Sequence, residues 1–192
     1  MQIKDYKYLP MQQYFQKFNF ELKPFEYEQL KGPLVFQYGY PDVIIFLHRI
    51  NDIELFKNLH YGPISSIPPT RVFYSEIVGR GYLQPHKDLG VGCNLNWYFQ
   101  TDDSSTVFFD ETAETQHLSN IKEQGENVFH LDQLTEKCRF SAEKNTAYLL
   151  NVSKPHSVYK PKLKIRKFFS YQWLDHDYQT VLDSLLIKKV DY

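Results

Sequence analysis

The chain has 192 residues, enough for one domain with a core of its own. Its 22 Lys+Arg nearly balance 23 Asp+Glu, so bulk charge argues for neither a nucleic-acid coat nor a membrane-surface protein. Two cysteines, Cys93 and Cys138, make no disulfide framework and are expected as buried thiols.

The first residues, MQIKDYKYLP, lack the apolar stretch of a secretory signal, which makes the cytoplasm the expected location. Residues 1–70 look like a support region packed on the main domain. Gln12 to Phe18 is expected as a short helix, after which Pro24, Gly32, Pro33 and Pro41 interrupt the chain. Asp42 to Leu47 has a strand's composition. Its most apolar part, Val43 to Leu47, is too short to cross a bilayer, and no membrane association is expected. Asp52 to Leu59 reads as a helical turn or two before Gly62, Pro63, Pro68 and Pro69 break the chain again.

From residue 71 to 175 short apolar runs alternate with turn residues. The expected strands are Arg71–Val78, Tyr82–His86, Cys93–Gln100, Thr106–Phe109, Asn127–Leu131, Arg139–Ala142, Thr146–Val152, Ser157–Tyr159 and Lys164–Trp173. That many short strands, with no long helices between them, point to a mainly β sandwich, barrel or jelly roll with flanking helices. The tail, 176–192, differs. Tyr178, Val181, Leu182, Leu185 and Leu186 share one helical face and should pack on the sheet.

Chemistry concentrates at three places. In Tyr82-Leu83-Gln84-Pro85-His86-Lys87-Asp88, His86 and Asp88 are two apart, which on a strand aims an imidazole and a carboxylate to the same side. His156 opens a later strand, just after the apolar run Ala147-Tyr148-Leu149-Leu150. Two imidazoles and one carboxylate are the donor set of non-haem Fe(II) oxygenase sites, which leave coordination positions open. Arg166 then lies on an aromatic strand, where a buried cation needs an anion and its fork suits a carboxylate. The remaining histidines, His48, His60, His117, His130 and His176, have no ligand-like spacing. Lys160, Lys162, Lys164 and Lys167 are expected as a solvated strand edge.

The order His86-x-Asp88, then His156, then Arg166, over Arg71 to Trp173, resembles the 2-oxoglutarate/Fe(II)-dependent dioxygenase superfamily. The resemblance implies a double-stranded β-helix, the jelly roll of that superfamily. It assigns His86, Asp88 and His156 to Fe(II), and Arg166 to the distal carboxylate of 2-oxoglutarate. It also implies a polar partner from the strand after the loop, for which Tyr98 is the candidate, with Asn96 beside it. Tyr74 and Tyr82 are further candidates to reach the pocket. The implied activity uses 2-oxoglutarate and O2 to hydroxylate a protein side chain or a small molecule. Where nucleic-acid dealkylases of the superfamily carry a second Arg, this chain has Gln172, so nucleic acid is not the expected substrate. The prolyl-hydroxylase-like and aspartyl/asparaginyl-hydroxylase-like branches both stay open. So do two other readings: a jelly roll that binds metal or ligand without turnover, and a cupin-type metalloenzyme that does not use 2-oxoglutarate.

Overall fold

Alternation builds this protein. Along Cys93–Gln100, Asn94, Asn96 and Tyr98 point one way and Leu95, Trp97 and Phe99 the other, so a single strand furnishes a cavity and a core at once. The computed structural model describes residues 12–19, 25–39, 42–52, 54–55, 66–112, 117–121 and 126–187, with side chains left aside at 117–121, 126–127 and 186–187.

In chain order the strands are β1 (Phe15–Asn19), β2 (Lys31–Tyr38), β3 (Val43–Ile50), β4 (Arg71–Gly79), β5 (Gly81–Tyr82), β6 (His86–Asp88) and β7 (Cys93–Gln100). They continue as β8 (Ser105–Glu111), β9 (His117–Ile121), β10 (Glu126–Phe129), β11 (Leu134–Ser141), β12 (Thr146–Leu150), β13 (His156–Lys160) and β14 (Arg166–Trp173). One α-helix follows, α1 (Tyr178–Ile187), and short 3-10 turns occupy Tyr27–Leu30 and Leu131–Gln133.

Two antiparallel sheets face each other. One runs β1-β12-β7-β14-β4-β3-β2, the other β11-β8-β13-β6-β10-β9, with β5 paired to β13. The core pairings are nested: β8 with β11, β7 with β12, β6 with β13, and β4 with β14. First pairs with last and the chain crosses repeatedly between sheets, so the fold is a jelly roll of the double-stranded β-helix kind, as the superfamily resemblance implied.

Two apolar clusters divide the large sheet. Its outer face (Leu95, Trp97, Phe99, Phe169, Tyr171 and Trp173) packs on Val181, Leu182 and Leu185 of α1 and on Tyr27 and Leu30. Its inner face joins Phe108, Val128 and Val158 of the second sheet. The tail helix forms where its apolar face places it, and Asp177 Oδ1 caps it by accepting from the Thr180 N–H at 2.8 Å. Both cysteines are buried and free. Among the described residues no helix is long and apolar enough to cross a membrane.

Three expectations change. Gln12 to Phe18 is a turn followed by β1, not a helix. Pairing with β12 overrides helical propensity and sends Phe15 and Phe18 into different clusters, where a helix would have put them on one face. The run Tyr82–His86 is split into β5 and β6, because Gln84-Pro85 interrupts it and proline cannot donate to a ladder. An unexpected strand, β2, runs through Gly32 and Pro33. It is the outermost strand of its sheet, where a missing N–H costs little. The helical turn expected at Asp52 to Leu59 falls mostly outside the described residues. Within them Asp52 Oδ1 accepts from the Leu55 N–H at 2.8 Å.

Candidate metal centre

β6 is three residues long, bounded by Pro85 before it and by Gly90 in the left-handed region, φ +70°, after it. It meets β13 at a single register pair, His86 opposite His156. This brings two residues remote in sequence side by side, their rings 4.5 Å apart between centroids. Asp88, two positions along β6, shares the face of His86. His86 Nε2 lies 3.4 Å and His156 Nε2 3.6 Å from Asp88 Oδ1. One ligand atom from each of the three residues falls within 4.8 Å of the others, close enough to share one ion. The jelly roll thus assembles the three residues singled out from the sequence.

Each imidazole is held by its own chain. His86 Nδ1 lies 2.8 Å from the Gln84 carbonyl oxygen, and His156 Nδ1 3.1 Å from that of Lys154. A carbonyl can only accept, so Nδ1 donates and the lone pair of Nε2 faces the carboxylate. This is the arrangement that backbone partners impose on metal-bound histidines. Tyr38 flanks the His86 ring at 4.7 Å and Phe108 the His156 ring at 5.9 Å. Burial, reinforced by the neighbouring His86, pushes the His156 imidazole down to about 4, so it is neutral at neutral pH. Burial alone would raise the Asp88 carboxyl. The close approach of His86, with His156 and Arg71 nearby, outweighs that, so it stays below the usual range. A neutral imidazole and an ionised carboxylate are the protonation states a divalent cation requires. The donor set fits a hard-to-borderline ion such as Fe(II).

The three residues line a cavity of about 570 Å³ between the sheets, with Asn94, Asn96 and Tyr98 on the opposite wall. Arg166 sits deeper. It is fully buried and does not itself line the cavity, but its neighbours Tyr98 and Thr106 do. Its guanidinium stacks 4.3 Å from the Tyr98 ring centre. Nη2 donates to Thr106 Oγ1 at 3.0 Å and Nη1 to Ser104 Oγ at 3.3 Å, while Nε is buried without a hydrogen-bond partner. No carboxylate of a described residue pairs with it. Asp102, which accepts from the Ser104 hydroxyl, is taken by Lys160 in a buried ion pair. Desolvation raises the Asp102 carboxyl, but Lys160 and Ser104 prevail and hold it below its ordinary value. Two cations and one anion leave this buried group with a net positive charge.

Lys160 therefore corrects the expectation of a solvated edge. It shares the inward parity of His156 and Val158 on β13, a signal that was there to be read. Lys162 is exposed beside Asp103, as expected. Tyr74 and Tyr82 do not line the cavity. Tyr74 has outward parity and packs with Phe99 and Phe169, and Tyr82 stacks on Tyr159 at 4.6 Å, away from the cavity. Ser104, Thr106 and Asp102 were not foreseen as site residues. Only Thr106 left a trace, because it shares the face of Phe108 two positions on.

No family model matches the chain, and no curated protein matches it. In three dimensions it is similar to an oxidoreductase of the 2OG-Fe(II) oxygenase family from Burkholderia pseudomallei, at 11% identity and TM-score 0.47, over 78% of this chain and 76% of that one. It is also similar to a mutant of Bacillus subtilis oxalate decarboxylase, at 8% identity and TM-score 0.36, over 74% of this chain but only 29% of the longer one.

Proposed function

We propose that the protein is an Fe(II)- and 2-oxoglutarate-dependent oxygenase, a hydroxylase of a small molecule or a protein side chain. The observation that carries this is a His-Asp-His donor set lining a cavity, with a buried, uncompensated guanidinium just behind the cavity wall at Tyr98 and Thr106. Fe(II) held by His86, Asp88 and His156 supplies the activation of O2, coupled to oxidative decarboxylation of 2-oxoglutarate to succinate and CO2. The chain's own residues do the rest. Asp88 contributes the negative charge, and Gln84 and Lys154 fix the imidazoles through their carbonyls. Thr106 accepts from Arg166, which leaves its own O–H to donate to the distal carboxylate of the co-substrate. Tyr98 and Asn96, joined by a 3.3 Å hydrogen bond from Asn96 Nδ2 to the tyrosine hydroxyl, complete the co-substrate wall. The apolar surroundings, Phe168, Val158 and Leu150, exclude water.

Anaerobic titration of the Fe(II)-loaded protein with 2-oxoglutarate tests the reading through a weak visible metal-to-ligand charge-transfer band. The band should appear in the wild type and vanish in His156→Ala. Asp88→Ala should fail to hold iron stoichiometrically. Arg166→Ala should keep iron but bind 2-oxoglutarate at least tenfold more weakly. Iron binding without the band removes 2-oxoglutarate from the assignment, and stoichiometric iron in Asp88→Ala removes the triad.

A further inference from the structure

Arginine also lines the cavity itself, at the end remote from Arg166. Arg166 opposes Ile77 at one end of the β14–β4 ladder, and Gln172 opposes Arg71 at the other. At about 3.3 Å per residue the two arginines stand roughly 20 Å apart along the sheet. Arg71 lines the cavity on the side of Asp88, whose carboxyl feels its charge. Its Nε donates to Gln172 Oε1 at 2.8 Å, and its guanidinium carbon lies 5.7 Å from the Phe73 ring centre. Gln172 thus occupies one edge of the fork. No described residue accepts from the two terminal nitrogens. On the neighbouring strand Arg49 lines the same end.

Between these arginines the wall is apolar: Leu47, Phe73, Leu89 and Val91, with Val35 at the rim. Of these, Val35 and Leu89 are 41% and 38% exposed. Among the described lining residues Asp88 is the only acid, and the metal centre claims it. An apolar surface with two arginines and no free acid complements an amphiphile whose head is negative. The planar fork of arginine matches a carboxylate by two parallel hydrogen bonds.

We propose that this end of the cavity binds a carboxylic acid with an apolar body, its carboxylate held by Arg71 with Arg49 alongside, and that such an acid is the prime substrate. The substrate role rests on the oxygenase reading above, whereas the acid-binding site stands on the cavity itself. With the co-substrate anchored towards Arg166 and the acid towards Arg71, the apolar body of the acid would lie along the wall beside Asp88.

Isothermal titration of the full chain with octanoate, octan-1-ol and octylamine tests this, done anaerobically with and without Fe(II) and saturating 2-oxoglutarate. Octanoate should bind at least tenfold more tightly than the other two probes in both states. Arg71→Gln should abolish that preference, Arg71→Lys should keep part of it, and Arg166→Ala should leave it intact. The lysine variant keeps the charge and separates loss of the fork from loss of the fold. Equal binding of the three probes, no binding of any, or a preference that survives Arg71→Gln overturns the proposal, as does a preference lost in Arg166→Ala. Failure of 2-oxoglutarate to bind, with an Arg71-dependent preference retained, sinks the oxygenase reading and leaves the acid site standing.

Discussion

Lys160 and Asp102 are buried together beneath Arg166, with side-chain exposures of 0% and 2%. Removing one partner of such a pair strands the other charge in a medium that solvates it poorly. Asp102→Asn should therefore cost about 3 kcal/mol or more of stability by urea denaturation, and Lys160→Met a similar amount. The double replacement Lys160→Met with Asp102→Leu should recover much of the loss. The pair also sets a pH dependence. The Asp102 carboxyl is held below its ordinary value, so its contribution is fully present above the unfolded value near ~3.9 and is lost as pH falls through and below it. The urea midpoint should drop more steeply between pH 5 and pH 3 in the wild type than in Asp102→Asn. His86, Asp88 and His156 were legible in the sequence because strand alternation and family order both point to them. The surroundings of Arg166 were not. They come from a loop and a neighbouring strand, and nothing local in Asp102-Asp103-Ser104 says that the loop will turn inward beneath a remote arginine.

Turns decide how the second tier of strands is attached. Gly79 ends β4 at φ +105°, in the region that only glycine enters freely, and a Cβ there would collide with the Asp42 carbonyl oxygen. The Arg80 N–H donates to that same oxygen at 2.9 Å, so the backbone is pinned where β3 begins. Gly79→Ala should cost about 2 kcal/mol, seen as a lower denaturant midpoint, with faster amide exchange in β3 than in β7. Strands whose apolar residues alternate, such as β7 and β14, were found from the sequence nearly to the residue. β1 and β2 were missed for a different reason. Both lie at the edges of the large sheet, where the partner strand supplies the ordering and the segment's own pattern is weak. Pro33 signals a break within any central strand, yet it is compatible with an outermost one.

The large sheet serves two purposes on its two faces, so lesions on each should be separable. Leu182 of α1 is buried to 1% exposure against the outer face, remote from the cavity. Leu182→Ala should cost about 3 kcal/mol and lower the Tm by roughly 10 °C, while metal affinity below the transition stays unchanged. Loss of metal affinity in that folded variant would mean that the two faces are not independent. The fold class was readable in the count and spacing of short strands, and the topology was not, because which strand meets which is settled by contacts across most of the chain. That topology bears on how the protein is made. The pairings close like brackets, with β8 and β11 innermost and β4 with β14 outermost. A ribosome completes the inner brackets first and delivers β14 last among these strands. Until β14 has emerged, the facing edges of β4 and β7 have no common partner strand, and neither Arg166 nor Gln172 is in place. The growing chain thus holds both halves of the cavity wall, unjoined, from the emergence of β7 to that of β14. The aromatic stretch Phe168 to Trp173 then acts as the closing stroke that joins β4 to β7 and completes the site.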